Sequence, residues 1–203
     1  GSNIDIPAPD MGTNSQIMDW MSDAYQQQGF MHDNSVFTGK SIECGGCQGR
    51  TEATGYGIVC CIKQWALENN FNLQGKTYII QGFGNVGSNT SIFLSLLGMI
   101  CIGIGDHTGY VKSEEGFNVY KLKEYVEKNR SIKNYTKEEN NINKADFFSL
   151  KCDLVIPAAC ELVICGEEAN LLNCKAVIEA ANGPLDQDAD KILKDKNIDV
   201  IPD

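Results

Sequence analysis

The sequence is short of positive charge, of histidine and of long apolar runs. Against 27 acidic residues stand 17 basic ones, for a formal net charge of −10. A nucleic-acid backbone is bound by a clustered basic face, so that balance argues against such a partner. A membrane span needs about 18 or more consecutive apolar residues. The greasiest stretch, Ile92 to Ile104, is broken by Ser95, Gly98 and Gly103, so no membrane role is expected. Asp5, Pro7, Pro9 and Asp10 stand where a secretory signal would be apolar. With only 2 histidines, His32 and His107, far apart, no histidine-based metal site is expected.

Cysteine, by contrast, is plentiful: there are 9. An odd count, with Cys60, Cys61, Cys101, Cys152, Cys160 and Cys174 in apolar surroundings, reads as reduced core thiols of an intracellular protein. The exception is Cys44-Gly45-Gly46-Cys47, a C-x-x-C. A zinc site would need a second ligand pair, and a thioredoxin-like redox site would need a strand–helix setting. Neither chemistry is assigned to it.

A chain of 203 residues can bury one substantial core, with room for a small appendage. Thr13-Asn14-Ser15-Gln16 has the form of a capping box and predicts a helix to about Gln28, with Ile17, Trp20, Met21 and Ala24 inward. The polar turn His32-Asp33-Asn34 ends it. A second helix is predicted over Thr51–Asn69, with Ile58, Ile62, Trp65 and Ala66 inward.

An α/β alternation follows. Strands are predicted at Lys76–Gln81, Met99–Ile104, Cys152–Ile156, Ala176–Glu179 and Ile198–Ile201. Helices are predicted at Asn85–Leu97, around Val119–Val126 and at Asp188–Lys196. The asparagine-rich Asn129–Lys144 reads as a surface insertion.

Gly82-Phe83-Gly84-Asn85-Val86-Gly87 is a G-x-G-x-x-G between a predicted strand and a predicted helix. That is the setting in which this motif binds a dinucleotide. The first glycine permits the tight turn, the second lets backbone N–H groups approach the pyrophosphate, and the third lets helix and strand pack closely. The helix N-terminus offers free donors and a positive dipole end. Asp106 closes the second strand about 20 residues on, where a carboxylate meets the ribose hydroxyls and favours NAD over NADP. His107 beside it, if protonated, would let the site tolerate a 2′-phosphate. The competing reading is a glycine-rich turn that binds nothing.

Asp5-Ile6-Pro7-Ala8-Pro9-Asp10-Met11-Gly12-Thr13, Thr38-Gly39-Lys40, Ala53-Thr54-Gly55-Tyr56-Gly57, the glycine turn with Gln81, and Glu179-Ala180-Ala181-Asn182-Gly183-Pro184 occur in an order that resembles the glutamate dehydrogenases. The resemblance runs over essentially the whole chain and looks nearest to the hexameric, NAD-using or dual-cofactor branch. Leucine and phenylalanine dehydrogenases generally lack the Pro-Ala-Pro-Asp segment.

The resemblance implies a Rossmann-like α/β fold, a doubly wound sheet with helices on both faces. Residues 1–40 would be a flanking segment of the substrate domain or hinge. Residues 41–203 would be the dinucleotide-binding domain, cut before its closing helix. Asp10 matches the family's proton-carrying catalytic aspartate. Thr54 and Asn182 match residues holding the nicotinamide carboxamide, and Ala159 joins the cofactor-binding set. Lys40 and Arg50 match recurrent positions without an assigned role.

The implied reaction is oxidative deamination of L-glutamate to 2-oxoglutarate and ammonia with NAD, NADP being admitted. The protein would be homo-oligomeric and intracellular, cytoplasmic or mitochondrial. Cys47 departs from the family, which commonly has a small residue such as serine there. The upstream catalytic lysine segment has no counterpart, so this chain alone is expected to be inactive. A non-catalytic NAD-binding or regulatory module, or a dehydrogenase for leucine, valine or phenylalanine, stays open.

Overall fold

The computed structural model describes residues 1–10, 12–29 and 33–203. The chain divides into two compact units, Gly1–Thr51 and Glu52–Asp203.

In the first unit, α1 covers Ser15–Gln27. Its N-cap is Asn14, whose side chain accepts from the Ile17 N–H at 3.1 Å. Thr13, the expected cap, is instead turned back onto Asp10: its hydroxyl accepts from the Asp10 N–H and donates to the Asp10 carbonyl, both at 2.7 Å. The buried stripe is also shifted from the expected one. Met18 and Ser22 are buried and Tyr25 is half-buried, whereas Trp20 is 63% exposed and Met21 39%.

The reason is the small size of this core. Among the described residues, Val36 and Phe37 pack on Met18 and Tyr25 of the helix, a contact that needs only a narrow i, i+4, i+7 stripe. His32, expected in the turn that ends α1, lies outside the described residues. Asp33 accepts from the Ser35 N–H at 2.9 Å and from the Ser2 and Ser35 hydroxyls. Those donors hold its carboxyl down at about 2.

The second unit is built on a 7-stranded sheet. In chain order its elements are α2 (Arg50–Glu68, which begins in the first unit), β1 (Thr77–Gln81), α3 (Asn85–Leu96), β2 (Ile100–Asp106), β3 (Gly109–Lys112) and α4 (Val119–Asn129). Then come β4 (Asn141–Ile142), α5 (Lys144–Phe148), β5 (Leu154–Pro157), α6 (Gly166–Leu171), β6 (Ala176–Ile178), α7 (Gln187–Asp195) and β7 (Asp199–Ile201). The sheet order is β4-β3-β2-β1-β5-β6-β7. The five strands from β2 to β7 across β1 are parallel, while β3 and β4 add an antiparallel edge.

Strand alternation feeds two cores. Tyr78, Ile80, Ile104, Leu154, Ile156 and Ile178 face one side, with Val59 and Ile62 of α2, Leu94 of α3 and Leu122 of α4. Ile79, Val155 and Val177 face the other, with Phe147 and Phe148 of α5, Ala169 of α6 and Leu193 of α7. This is the doubly wound α/β arrangement expected from the sequence.

Several details differ from expectation. The segment after Asp106 holds a strand, β3, that the sequence did not predict. The asparagine-rich insertion contributes β4, whose Ile142 pairs with Tyr110. Helices α5 and α6 were not expected; at 5 and 6 residues they are too short to show a helical period. Of the cysteines assigned to the core, Cys101 and Cys152 are buried, but Cys60, Cys61 and Cys160 are exposed. Cys60 and Cys61 sit on the outer face of α2, whose inner face is Gly55, Val59, Ile62 and Ala66.

Candidate functional site: the carboxyl edge of the parallel sheet

Strand β1 is flanked by β2 on one side and β5 on the other, so chain order reverses at its carboxyl end. In open α/β sheets that switch point is where ligands bind. The Gly82–Gly87 turn sits on this end.

Gly82 has φ of +101°, and a Cβ there would fall 2.7 Å from the backbone of Ala158 and Ala159. Its N–H donates to the Gly105 carbonyl at 2.7 Å, and the Ala158 N–H donates to the Gln81 carbonyl at 2.6 Å. The turn is thereby fastened to both neighbouring strand ends. A Cβ on Gly87 would lie 2.0 Å from the Gly82 carbonyl oxygen, so helix and turn touch backbone to backbone. Over Gly84 the situation is opposite: a Cβ would meet no protein atom within 4 Å. Gly84 is also the N-cap of α3 and gives no side-chain cap. The first-turn N–H groups of Asn85, Val86 and Gly87 therefore keep the donor character of a helix start beneath open space. A diphosphate fits this cradle on charge and on room.

Within the turn, Phe83 is buried in the core and anchors it. Val86 is half-buried and Asn85 exposed. The Asn85 side-chain and main-chain oxygens accept from the Asn89 amide at 3.0 and 2.9 Å. Lys123 of α4 donates to the Asn89 oxygen at 2.8 Å.

Beside it, Ala159 is exposed on the loop after β5, and Asn182 is exposed on the bend after β6. These two loops are tied by the Leu162 N–H to the Gly183 carbonyl at 3.0 Å and by the Ile164–Leu185 bridge. The Gly183 N–H donates to Asp203 at 2.8 Å, and the Asp203 N–H to Glu179 at 3.0 Å. Burial pushes the Glu179 carboxyl above its ordinary range. Thr54 is exposed on the first turns of α2. Its neighbour Gly55 lets α2 meet α3: a Cβ there would come 2.7 Å from the Thr90 nitrogen.

Asp106 ends β2 at the same edge, but its carboxylate is already engaged. One oxygen accepts from the Thr108 N–H and hydroxyl, both at 2.6 Å; the other accepts from the Ile132 N–H at 2.8 Å. Its side chain is only 10% exposed, while that of His107 is 73% exposed, with Nδ1 4.0 Å from Asp106. Asp106 staples the β2–β3 turn to the segment after α4. Spacing alone could not show the second tie, because the Ile132 N–H is remote in sequence.

Gln81 carries no expected role from the sequence beyond its place in the glycine-turn motif. It is the last residue of β1, is 8% exposed, and its side-chain oxygen has no hydrogen-bond partner among the described residues. A polar residue ending an apolar strand at a glycine turn was the available signal.

Asp10 belongs to the first unit. Its backbone is fixed by Thr13, and its exposed carboxylate makes no hydrogen bond or ion pair among the described residues. In that unit Lys40 is buried, donating to the carbonyls of Asn34, at 2.7 Å, and Phe37. Gly39 is overhung by the Pro9 ring and the Arg50 guanidinium; a Cβ there would lie 2.9 Å from the latter.

Among the described residues no group of three or more His, Cys, Asp or Glu is placed to hold a metal. No helix is long and apolar enough to cross a membrane. Surface cavities of about 620 Å³, at the starts of α6 and α7, and about 500 Å³, at the end of α2, include no residue of the glycine turn.

A switch point carrying a glycine turn on a doubly wound parallel sheet defines a Rossmann-like module. Residues 45–203 match the family described as Glutamate/Leucine/Phenylalanine/Valine dehydrogenase, and residues 1–27 match the dimerisation domain of the same family. The chain belongs to this family.

It is 42% identical over its full length to the NADP-specific glutamate dehydrogenase of Saccharolobus shibatae, covering 48% of that protein. It is 38% identical to a cryptic catabolic NAD-specific glutamate dehydrogenase of Bacillus subtilis, again over 100% of this chain and 47% of the relative. The crystal structure of the hetero-hexameric glutamate dehydrogenase of Thermus thermophilus, in a leucine-bound form, superposes with a TM-score of 0.90 at 28% identity, covering 100% of this chain and 48% of that one. The chain thus spans about half the length of the relatives it matches.

Proposed function

We propose that the chain is the cofactor-binding part of an NAD(P)-dependent glutamate dehydrogenase, with residues 1–40 a flanking piece of the substrate domain and 41–203 the nucleotide domain. The observation that carries this reading is the uncapped α3 start under open space at the Gly82–Gly87 turn, on the switch point of the sheet. The glutamate dehydrogenase names of the relatives set the substrate class.

In this reading the first-turn N–H groups of α3 hold the pyrophosphate, and Ala159 lines the same crevice. Thr54 and Asn182 orient the nicotinamide carboxamide. Bound NAD or NADP supplies the hydride acceptor. Asp10 moves protons at the substrate nitrogen and the attacking water as the iminium is hydrolysed to 2-oxoglutarate and ammonia; an exposed carboxylate free of internal partners suits that task. Asp106 marks the ribose end, but a carboxylate already shared among three donors is a weak barrier to a 2′-phosphate. The reading is therefore NAD with NADP admitted, and relatives of both preferences are known. The whole enzyme would be a homo-oligomer working inside the cell, in cytoplasm or mitochondrion.

Two titrations and two assays test this. NADH added to the 203-residue chain should gain fluorescence on binding, and NADPH should compete. Glutamate with NAD should yield no NADH from the chain alone. In a full-length enzyme, Asp10→Asn should lower kcat roughly 10²–10⁴-fold with cofactor affinity kept. A chain that binds neither nucleotide would overturn the reading.

A further inference from the structure

The thiols divide sharply by environment. Burial pushes Cys101 and Cys174 up to about 12 and raises Cys152 as well. Burial and the nearby Asp186 carboxylate also raise Cys165. Thiols held protonated are poor nucleophiles. That leaves the exposed Cys44, Cys47, Cys60, Cys61 and Cys160. Cys60 and Cys61 are consecutive on α2, and consecutive helical side chains do not face each other. Cys160 is exposed on the loop after β5.

Cys44 and Cys47 differ from all of these. The amides of Cys44 and Gly46 both donate to the same Ser41 carbonyl, at 3.1 and 2.7 Å. The backbone between the two cysteines is therefore curled around one oxygen. Glycine alone permits that curl: Gly45 has φ of +84°, and a Cβ on Gly46 would fall 2.1 Å from the Lys40 carbonyl and 2.7 Å from that of Ser41. A disulfide needs Cα atoms about 4.4–6.8 Å apart, well short of the roughly 10 Å that three residues span when extended, so closing the bond requires a curled spacer. The loop's stem is fixed as well. The Ser41 N–H donates to Asp19 at 2.9 Å, and the preceding Lys40 is held by two carbonyls.

We propose that Cys44 and Cys47 are a dithiol–disulfide pair, oxidised by a small aliphatic disulfide, that locks the loop leading from Lys40 into α2. One thiolate attacks the oxidant's S–S bond, giving a mixed disulfide and one released thiol. The second thiolate attacks the protein sulfur of that mixed disulfide, closes the Cys44–Cys47 bond and releases the second thiol. Two electrons pass to the oxidant, and the protons of the two cysteines end on the two released thiols. Ring closure outpaces a second external attack because the partner thiol is present at an effective concentration of mM or more.

The test uses oxidised glutathione on the folded chain, followed by alkylation, trypsin and mass spectrometry. Cleavage after Lys40 and Arg50 isolates Ser41–Arg50, which contains only these two cysteines. The expected result is loss of both thiols and of two hydrogens from that peptide, with no glutathione retained, before Cys60, Cys61 or Cys160 react. Cys44→Ser and Cys47→Ser should each leave the other cysteine as a lasting glutathione adduct. Adducts on both cysteines of the wild-type peptide, bonds from either to a third cysteine, or an untouched peptide while other thiols react would each overturn the proposal.

Discussion

At the carboxyl edge of β1 the reactive surface is main chain. The donors of the α3 start are set by Gly82, Gly84 and Gly87, in a turn held by the Gly82 N–H on the Gly105 carbonyl and by the Ala158 N–H on the Gln81 carbonyl. In the first unit the candidate groups are side chains, Asp10 of the proposed reaction and the proposed Cys44–Cys47 pair, on segments held by local tethers; the core there, among the described residues, is Met18, Val36, Phe37 and Tyr25. A sheet can fix backbone groups firmly because its hydrogen-bond ladder leaves them few alternatives. A small loop-rich unit fixes side chains one tether at a time. Perturbing the edge should therefore damage folding and binding together, whereas the first unit should tolerate changes to its reactive groups.

The largest effect is expected where backbone meets backbone. Gly87→Ala drives a methyl into the Gly82 carbonyl and should cost about 3 kcal/mol, with NADH binding lost in parallel, read by urea unfolding and fluorescence titration. If Gly87→Ala unfolds normally and binds normally, backbone contact does not hold this edge.

Next, Asp106→Asn should destabilise by roughly 2 kcal/mol, since it weakens charge-assisted bonds to Thr108 and Ile132. Denaturation sees that loss. The ratio of NADH to NADPH affinity should shift little; a large swing toward NADPH would mean the carboxylate reads the ribose after all.

Much of this comparison was legible in the sequence for the edge and little of it for the first unit. The G-x-G-x-x-G, its strand and its helix follow from local pattern, because close packing of a helix on a strand demands glycine at fixed offsets. The staple from Asp106 to Ile132 was hidden because that backbone N–H lies beyond α4, far off in sequence. The α1 stripe was misjudged because apolar residues such as Trp20 and Met21 obey helical spacing whether or not anything covers them. Cys60 and Cys61 looked buried among apolar neighbours, yet the period of α2 turns them outward.

A smaller effect is expected at Leu162, which has φ of +53° and is 57% exposed. A left-handed Leu costs roughly 1–2 kcal/mol, part of which glycine returns as unfolded-state entropy. Leu162→Gly should therefore stabilise by about 0.5–1 kcal/mol, seen as a higher unfolding midpoint. A lower midpoint would mean that the Leu162 side chain packs more than its exposure implies.

The smallest effect concerns pH. Lys144 donates to Glu168 at 2.8 Å, and Glu168 also accepts from the Cys165 N–H at 2.9 Å. Burial opposes both charges, but the pairing holds Glu168 below its ordinary range and Lys144 above it. A depressed carboxyl adds stability above its unfolded pKa and loses it as pH falls through the folded one. Lys144 is half exposed, so the contribution should be only a few tenths of a kcal/mol. Glu168→Gln should flatten the acid limb of the stability–pH curve by that much; an unchanged limb would remove the pair from the account.

The central claim is that the uncapped start of α3 is where a dinucleotide diphosphate is held. Hydrogen–deuterium exchange of the amides of Asn85, Val86 and Gly87, with and without NADH, tests it most directly. Slowed exchange at these amides on addition of NADH is the expected result. Unchanged exchange there, with protection confined to the cavity at the end of α2 around Leu67, Phe71 and Leu97, would contradict it.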